Sequence, residues 1–145
     1  MKYKAGKTGR IFIARFDDKD DILSNLQDLA RKENIRSGVF YLIGGVRKGK
    51  IVVGPEKDEL PPKPVWKEIN EPNELIAMGT IFWQKDEPKI HLHGAFGKGD
   101  KVSVGCLRES GEVFLILEAI IMEIEGIKAE RVPDPSTGLN LLKID

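Results

Sequence analysis

The chain has 145 residues, a length typical of one domain, with 41% hydrophobic and 32% charged side chains. Its 23 basic and 23 acidic residues give a formal net charge of zero, which weighs against nucleic-acid binding by bulk electrostatics and against intrinsic disorder. The single cysteine, Cys106, excludes an intrachain disulfide and favours a reducing, cytoplasmic location. No signal peptide and no apolar run of membrane-spanning length is recognised, so we expect no membrane association.

The first predicted elements are a strand and an amphipathic helix. Residues 10–16 are β-rich and follow a glycine, as in a strand. Aspartates cluster within residues 17–21, and one of them should cap the main helix, which we place at about residues 18–34. Its apolar side chains recur at positions 22, 23, 26, 29 and 30, which form one helical face. Asn34 is the expected left-handed end of this helix.

The rest of the chain is dominated by strand patterns. Residues 37–53 contain Gly44 and Gly45, whose pairing indicates a β-bulge or a close backbone approach. Residues 54–64 hold half of the prolines and form a stiff loop. The further predicted strands are 65–69, 74–83, 89–96, 101–107 and 112–125. The leucine-rich tail, 131–145, is expected to dock on a surface of this chain or of a neighbour.

These elements predict an α+β fold, with one main helix and a mostly antiparallel sheet of about seven strands. We expect a single domain over residues 1–145, with a core at about 9–126 and a C-terminal docking tail at 131–145. The proline-rich loop lies within this domain, because neither side of it is long enough to form a core alone.

The two histidines and the only cysteine form the clearest candidate for a functional site. His91 and His93 are two residues apart in a strand, so both side chains point to one face. A hairpin turn centred between residues 98 and 99 places Cys106 opposite His91 and Val104 opposite His93. Two imidazoles and a thiolate are suitable Zn²⁺ ligands that leave a fourth position open. The alternative is a pair of hydrogen-bonded histidines and a buried, apolar cysteine.

Glu118 is the second candidate, because it interrupts the apolar run from Val113 to Met122. A carboxylate in a central strand is costly unless it is paired, protonated or metal-bound. It is therefore a candidate proton carrier, or a partner that orients a histidine ligand. The alternative is a position at a sheet edge or an interface.

Several of these residues together resemble the plant- and prokaryote-conserved (PPC) domain family. The resemblance rests on the run Lys89–Gly94, which contains His-Leu-His-Gly, and on Val104–Leu107 about a dozen residues later. It extends to the first strand and helix, the Gly44–Gly45 segment and the closing strand with Glu118, from about Gly9 to Gly126. Where the family commonly has Gly-His-Leu, this chain has Cys106 as the central residue, which keeps a ligand type.

The resemblance implies a homotrimer with a large antiparallel sheet and, in some members, a bound metal. In plants the domain lies beside AT-hook motifs in nuclear DNA-binding proteins and mediates their association. An AT hook requires an Arg-Gly-Arg core, which this chain lacks.

The favoured function is therefore a stand-alone homotrimeric binding module. It would have a DNA-binding or regulatory-protein partner and a divalent metal site at His91, His93 and Cys106. The alternative is a zinc-dependent enzyme or a small-molecule binder that uses the open metal position. No reaction is assigned, because the spacing of these residues selects no substrate.

Overall fold

The structure is a computed structural model that describes residues 1–144. It has one helix and eight strands in the described part of the chain. In chain order they are β1 (Lys7–Asp17), α1 (Ile22–Lys32), β2 (Ser37–Pro55), β3 (Pro64–Ile69), β4 (Asn73–Gln84), β5 (Glu87–Lys98), β6 (Lys101–Glu125), β7 (Ala129–Asp134) and β8 (Leu139–Ile144). The α+β class is confirmed, with one strand more than expected.

All eight strands belong to one sheet, with the order β3-β2-β6-β5-β4-β7-β8 and β1 paired to β6. Strand β2 also pairs with β4, so β2, β4, β5 and β6 form a closed cycle of hydrogen-bonded neighbours. Every pairing is antiparallel except the short parallel contact of β4 with β7, where Trp83 faces Glu130. The sheet is therefore mixed, although antiparallel pairs dominate as predicted.

Helix α1 packs on one side of this sheet and forms the core with it. Its buried side chains Ile22, Leu26 and Ala30 belong to the same apolar cluster as Phe40 and Phe96 of the sheet. We call this side of the sheet the inner face. Because side chains alternate along a strand, the residues between the core positions point to the opposite side, which we call the outer face.

The helix begins and ends at the signals that the sequence contains. Asp21 is its N-cap, and the Asp21 carboxylate accepts a hydrogen bond from the Ser24 backbone N–H at 2.8 Å. Asn34, with φ of 52°, follows the C-cap in the left-handed conformation expected for it. The helix is shorter than the predicted 18–34, since Lys19 has φ of 74° and lies in a turn. No helix in residues 1–144 is long and apolar enough to cross a membrane.

The paired glycines of β2 lie where the register with β6 shifts. Gly44 faces Leu117 and Gly45 faces Phe114, so two residues of β6 have no partner there. Gly44 has φ of 145°, and a Cβ on it would lie 2.4 Å from the carbonyl oxygen of Ile116. The predicted bulge and the predicted close backbone approach are both present at this point.

The predicted register of the β5–β6 hairpin is wrong by two residues. His93, not His91, faces Cys106, and Val104 faces Ala95. The reason is that the turn contains only residues 99 and 100, because Lys98 already pairs with Lys101 and Gly99 supplies the positive φ of 57°. A shift of two residues preserves the face of every side chain, so the histidines and the cysteine still share one face.

Two further predictions of strand boundaries need correction. Residues 101–107 and 112–125 form a single long strand, β6, which is bent at its irregular pairings with β2. The tail contains a hairpin, in which β7 and β8 pair from Ala129–Ile144 to Asp134–Leu139. Pro133 and Pro135 obscured this hairpin in the sequence, since proline is normally evidence against a strand.

Candidate metal centre and adjoining clefts

The structure brings the three predicted metal ligands together on the outer face. One nitrogen of His91, one of His93 and the Cys106 sulfur all lie within 4.8 Å of one another. Strand β5 supplies both histidines on one face, and strand β6 places Cys106 directly opposite His93. His93 is exposed and Cys106 is buried, so the cluster opens to the surface on the histidine side.

The two imidazoles meet edge to face, with ring centroids 4.9 Å apart and an angle of 80° between the rings. Their Nε2 atoms are 3.1 Å apart. On its other side, His91 Nδ1 is 3.4 Å from a guanidinium nitrogen of Arg131. Arginine can only donate, so Nδ1 accepts in this arrangement and the Nε2–H of His91 points to His93.

The protonation of the cluster follows from its surroundings. Burial lowers the pKa of His91 to about 4, and the charges of Arg131, His93 and Arg108 act in the same direction. His91 is therefore neutral at pH 7, the form that binds metals. Burial also raises the pKa of the Cys106 thiol, although Arg108 opposes that shift. Cys106 is consequently a thiol until a cation replaces its proton.

The donor set fits a zinc ion. A tetrahedral Zn²⁺ with bonds of about 2.0–2.3 Å separates its ligand atoms by about 3.3–3.7 Å. The two Nε2 atoms already lie near that separation, at 3.1 Å. The widest separation in the cluster, 4.8 Å, exceeds it by an amount that a small side-chain rotation covers. Three ligands of this kind leave one coordination position open.

Glu118 does not join this cluster within one chain. It lies twelve residues further along β6, where it faces Ile43 on one side and Arg15 on the other. Its side chain is exposed on the outer face rather than buried in a central strand. Of the two interpretations of this residue, the position at a surface or interface fits the structure. Its predicted role as a proton carrier would require a second copy of the chain.

An apolar groove borders the cluster on the side of Cys106. It has a volume of about 640 Å³ and is lined by Pro64 and Trp66 of β3, by residues 52–55 of β2 and by Pro62 of the loop before β3. His93, Cys106 and Arg108 form its polar end. The groove thus leads from the surface to the exposed side of the candidate metal centre.

A second cleft borders the cluster on the side of His91, under the C-terminal hairpin. Its volume is about 480 Å³, and its basic residues are Lys89, Arg108 and Arg131. The hairpin supplies the remaining wall through Gly138 to Leu141. The sequence analysis did not identify Arg108 or Arg131 as site residues. Arg108 could have been identified, because it lies two residues after Cys106 and so on the same face of the strand.

Exposed apolar side chains cover most of the outer face beside the cluster, and we call them the outer apolar patch. They are Ile11, Ile13, Tyr41, Ile43, Ile76, Met78 and Ile120. They lie on neighbouring strands, since Tyr41 faces both Met78 and Ile120 while Ile43 faces Ile76. The patch reaches the candidate metal centre, because Met78 is also directly opposite His93.

Comparisons with known proteins agree with this architecture. A family model described as the Plants and Prokaryotes Conserved (PCC) domain matches residues 3–125. A solved structure of a metal-containing protein from Archaeoglobus fulgidus is 30% identical, with a TM-score of 0.87 over 99% of both chains. A plant- and prokaryote-conserved (PPC) protein from Pyrococcus horikoshii is 26% identical, with a TM-score of 0.85 over 99% of this chain and 97% of that one.

A third solved structure is a protein from Ralstonia eutropha that is named as a candidate DNA-binding protein. It is 24% identical to this chain, with a TM-score of 0.77 over 92% of this chain and 90% of that one. At that identity the likeness shows the fold alone. A search among curated proteins found no match.

Proposed function

This chain belongs to the Plants and Prokaryotes Conserved (PCC) domain family, and we propose that it is a cytoplasmic, homotrimeric assembly module that binds a divalent metal and has a DNA-binding or regulatory role. The observation that carries this proposal is the convergence of His91, His93 and Cys106 at the margin of the outer apolar patch. The patch is the natural contact between copies, because apolar surface of this extent marks an interaction site. The metal centre would then lie at a subunit boundary.

The metal is tested by elemental analysis of freshly purified protein. We expect close to one zinc per chain, and we expect His93→Ala to lose it, because two ligands rarely retain zinc in competition with water. Val104→Ala is the matched control, since Val104 lies on the same face of β6 as Cys106 and offers no ligand atom. Wild-type protein without bound metal would contradict the metal-binding part of the proposal.

The class of partner is tested with duplex DNA. The Ralstonia protein shares the fold and is named for DNA binding, which makes DNA the first partner to test, whereas the zero net charge of this chain requires a locally basic surface for such binding. Binding that weakens steeply with salt would support the DNA-binding role. Absence of binding at low salt would remove that role and leave a regulatory protein as the partner.

The apolar groove favours a second candidate, a small-molecule binder or a zinc-dependent enzyme. A cavity of about 640 Å³ that ends at His93 and Cys106 has the size and the mixed lining of ligand pockets. A zinc ion at the cluster would lower the pKa of a bound water and so supply a nucleophile. Turnover that disappears in His93→Ala while the trimer persists would favour this candidate over the assembly module.

A further inference from the structure

The basic cleft between the sheet and the C-terminal hairpin carries positive charge, and no acidic side chain of the described residues lines it. Its basic residues are Lys89, Arg108 and Arg131. Within residues 1–144, neither Arg108 nor Arg131 forms an ion pair with a carboxylate. Arg10, Arg15, Arg31 and Arg47 each do. Of the five other arginines only Arg36, which lies over the Trp83 ring, also has no carboxylate partner among these residues, so the two cleft arginines differ from most arginines of the chain.

Arg131 in particular is held in place without a strong acceptor. Its guanidinium donates to Thr80 Oγ1 at 3.3 Å, to the Asn140 carbonyl oxygen at 3.5 Å and to His91 Nδ1 at 3.4 Å. All of these contacts are long and none involves a charged acceptor. Such a guanidinium gains most from an anion placed beside it.

With a metal on its Nε2, the histidine next to Arg131 would also lack an acceptor. An imidazole that ligates a metal through one nitrogen normally donates the N–H of the other to a carboxylate, a carbonyl or water. If His91 binds metal through Nε2, its Nδ1 carries the hydrogen and points at Arg131, which can only donate. Two donors then face each other. An anion placed beside both groups would accept from each.

We propose that this cleft binds the carboxylate or phosphate group of a small anionic ligand, held by Lys89, Arg108 and Arg131 beside His91. The ligand is small because the hairpin covers the cleft and limits it to about 480 Å³. The part of the inference that concerns Nδ1 of His91 rests on the proposed metal centre. The cationic cleft itself does not, because its three basic side chains are present with or without metal.

The experiment is a calorimetric titration of the full chain with two separate probes, inorganic phosphate and hexanoate. Each probe is measured on zinc-loaded protein and on protein stripped with a chelator. We expect saturable binding of at least one probe, and tighter binding to the zinc-loaded form. Preference for phosphate identifies a phosphorylated ligand. Preference for hexanoate identifies an organic acid whose apolar part reaches the groove beside Arg108 and Leu139, which line both cavities.

Matched variants assign the binding to the cleft. Arg131→Gln and Arg108→Gln should each weaken it about tenfold or more, since each removes a charge-assisted hydrogen bond. Arg10→Gln is the control, because it removes an arginine that already pairs with Glu33 and Glu123 far from the cleft. Arg131 also contacts the ring of Phe82, so Arg108→Gln guards against a loss of binding that merely reflects a displaced hairpin.

Three results would overturn the proposal. The first is that neither probe binds saturably, and the second is that the wild type and both cleft variants bind a probe equally well. The third is that the protein binds duplex DNA but neither of the two small anions. Failure of the metal centre gives a different result, because the protein would then hold no zinc while the stripped form still binds the anion. The two proposals can therefore fail separately.

Discussion

At the scale of single residues, Cys106 is the ligand whose chemistry changes most on metal binding. Its buried thiol has a raised pKa, whereas zinc binds the thiolate. His91 is already neutral at pH 7 and contributes no proton. We therefore predict that zinc uptake at neutral pH releases about one proton per chain, and that the apparent affinity rises by about tenfold per pH unit below the pKa of the thiol.

Calorimetry in buffers of different ionisation enthalpy measures this proton directly. Cys106→Ala should bind zinc more weakly and release close to no proton, while Val104→Ala should behave as the wild type. A proton count that Cys106→Ala leaves unchanged would show that the thiol is not a ligand. The neighbouring histidines would then be the hydrogen-bonded pair that the sequence also allowed.

At the scale of secondary structure, local signals in the sequence predicted the elements that depend on them. Asp21 and Asn34 delimit α1 because capping is decided within a few residues. The register of the β5–β6 hairpin was harder to predict from the sequence, since it depends on whether Gly97 and Lys98 belong to the turn or to the strand. Because the predicted register was wrong by two residues, each side chain was still assigned to the correct face of the sheet. The three candidate ligands were therefore predicted to lie together, although Cys106 was paired with His91 and not with His93.

The β7–β8 hairpin and the residues it contributes could not be read from local patterns. Its strands have six residues each, and a proline lies within β7. Their position on β4 depends on contacts between residues distant in the chain, such as Trp83 and Glu130. For the same reason Arg131 could not be connected with His91, although it lies against that ring in the structure.

The bulge between β2 and β6 should make Gly44 less tolerant of a side chain than Gly54. Gly44 and Gly54 have almost the same φ, 145° and 143°, but only Gly44 is crowded. A Cβ at Gly44 would lie 2.4 Å from the Ile116 oxygen, whereas nothing lies within 4 Å of one at Gly54. Gly54→Ala should cost about 1–2 kcal/mol of unfolding free energy for the backbone alone, and Gly44→Ala about 2 kcal/mol more.

Urea unfolding of the two variants measures this difference. Because the backbone term is nearly common to both, the difference isolates the contact between β2 and the bulged residues of β6. Equal destabilisation would mean that β6 can move away from Gly44 at little cost, and that the bulge does not fix the register of these two central strands.

At the scale of the whole molecule, the two faces of the sheet are both apolar, but only one is covered. Helix α1 covers the inner face, where Leu26 and Phe40 are fully buried. On the outer face Ile13 and Ile76 remain 77% and 71% exposed. A sheet with two apolar faces needs a cover on each side. This explains why residues 113–122 of β6 are apolar on both faces except at Glu118, and why a second copy is the cover proposed for the outer face.

The uncovered outer face should make assembly of the chain sensitive to a charge placed on that face. Ile43→Glu places a carboxylate within the outer apolar patch, between Ile76 and Glu118, so assembly would bury a charge without a partner and bring two carboxylates together. Since Ile43 is 55% exposed in the single chain, the fold should persist while the affinity of the proposed trimer falls by a factor of a hundred or more, corresponding to about 3 kcal/mol. Leu60→Glu is the matched control, because Leu60 is 68% exposed in the loop before β3 and lies outside the patch. Sedimentation velocity and native mass spectrometry measure the outcome. A trimer that survives Ile43→Glu, or a wild type that sediments as a monomer, would show that the outer face is not the contact between copies.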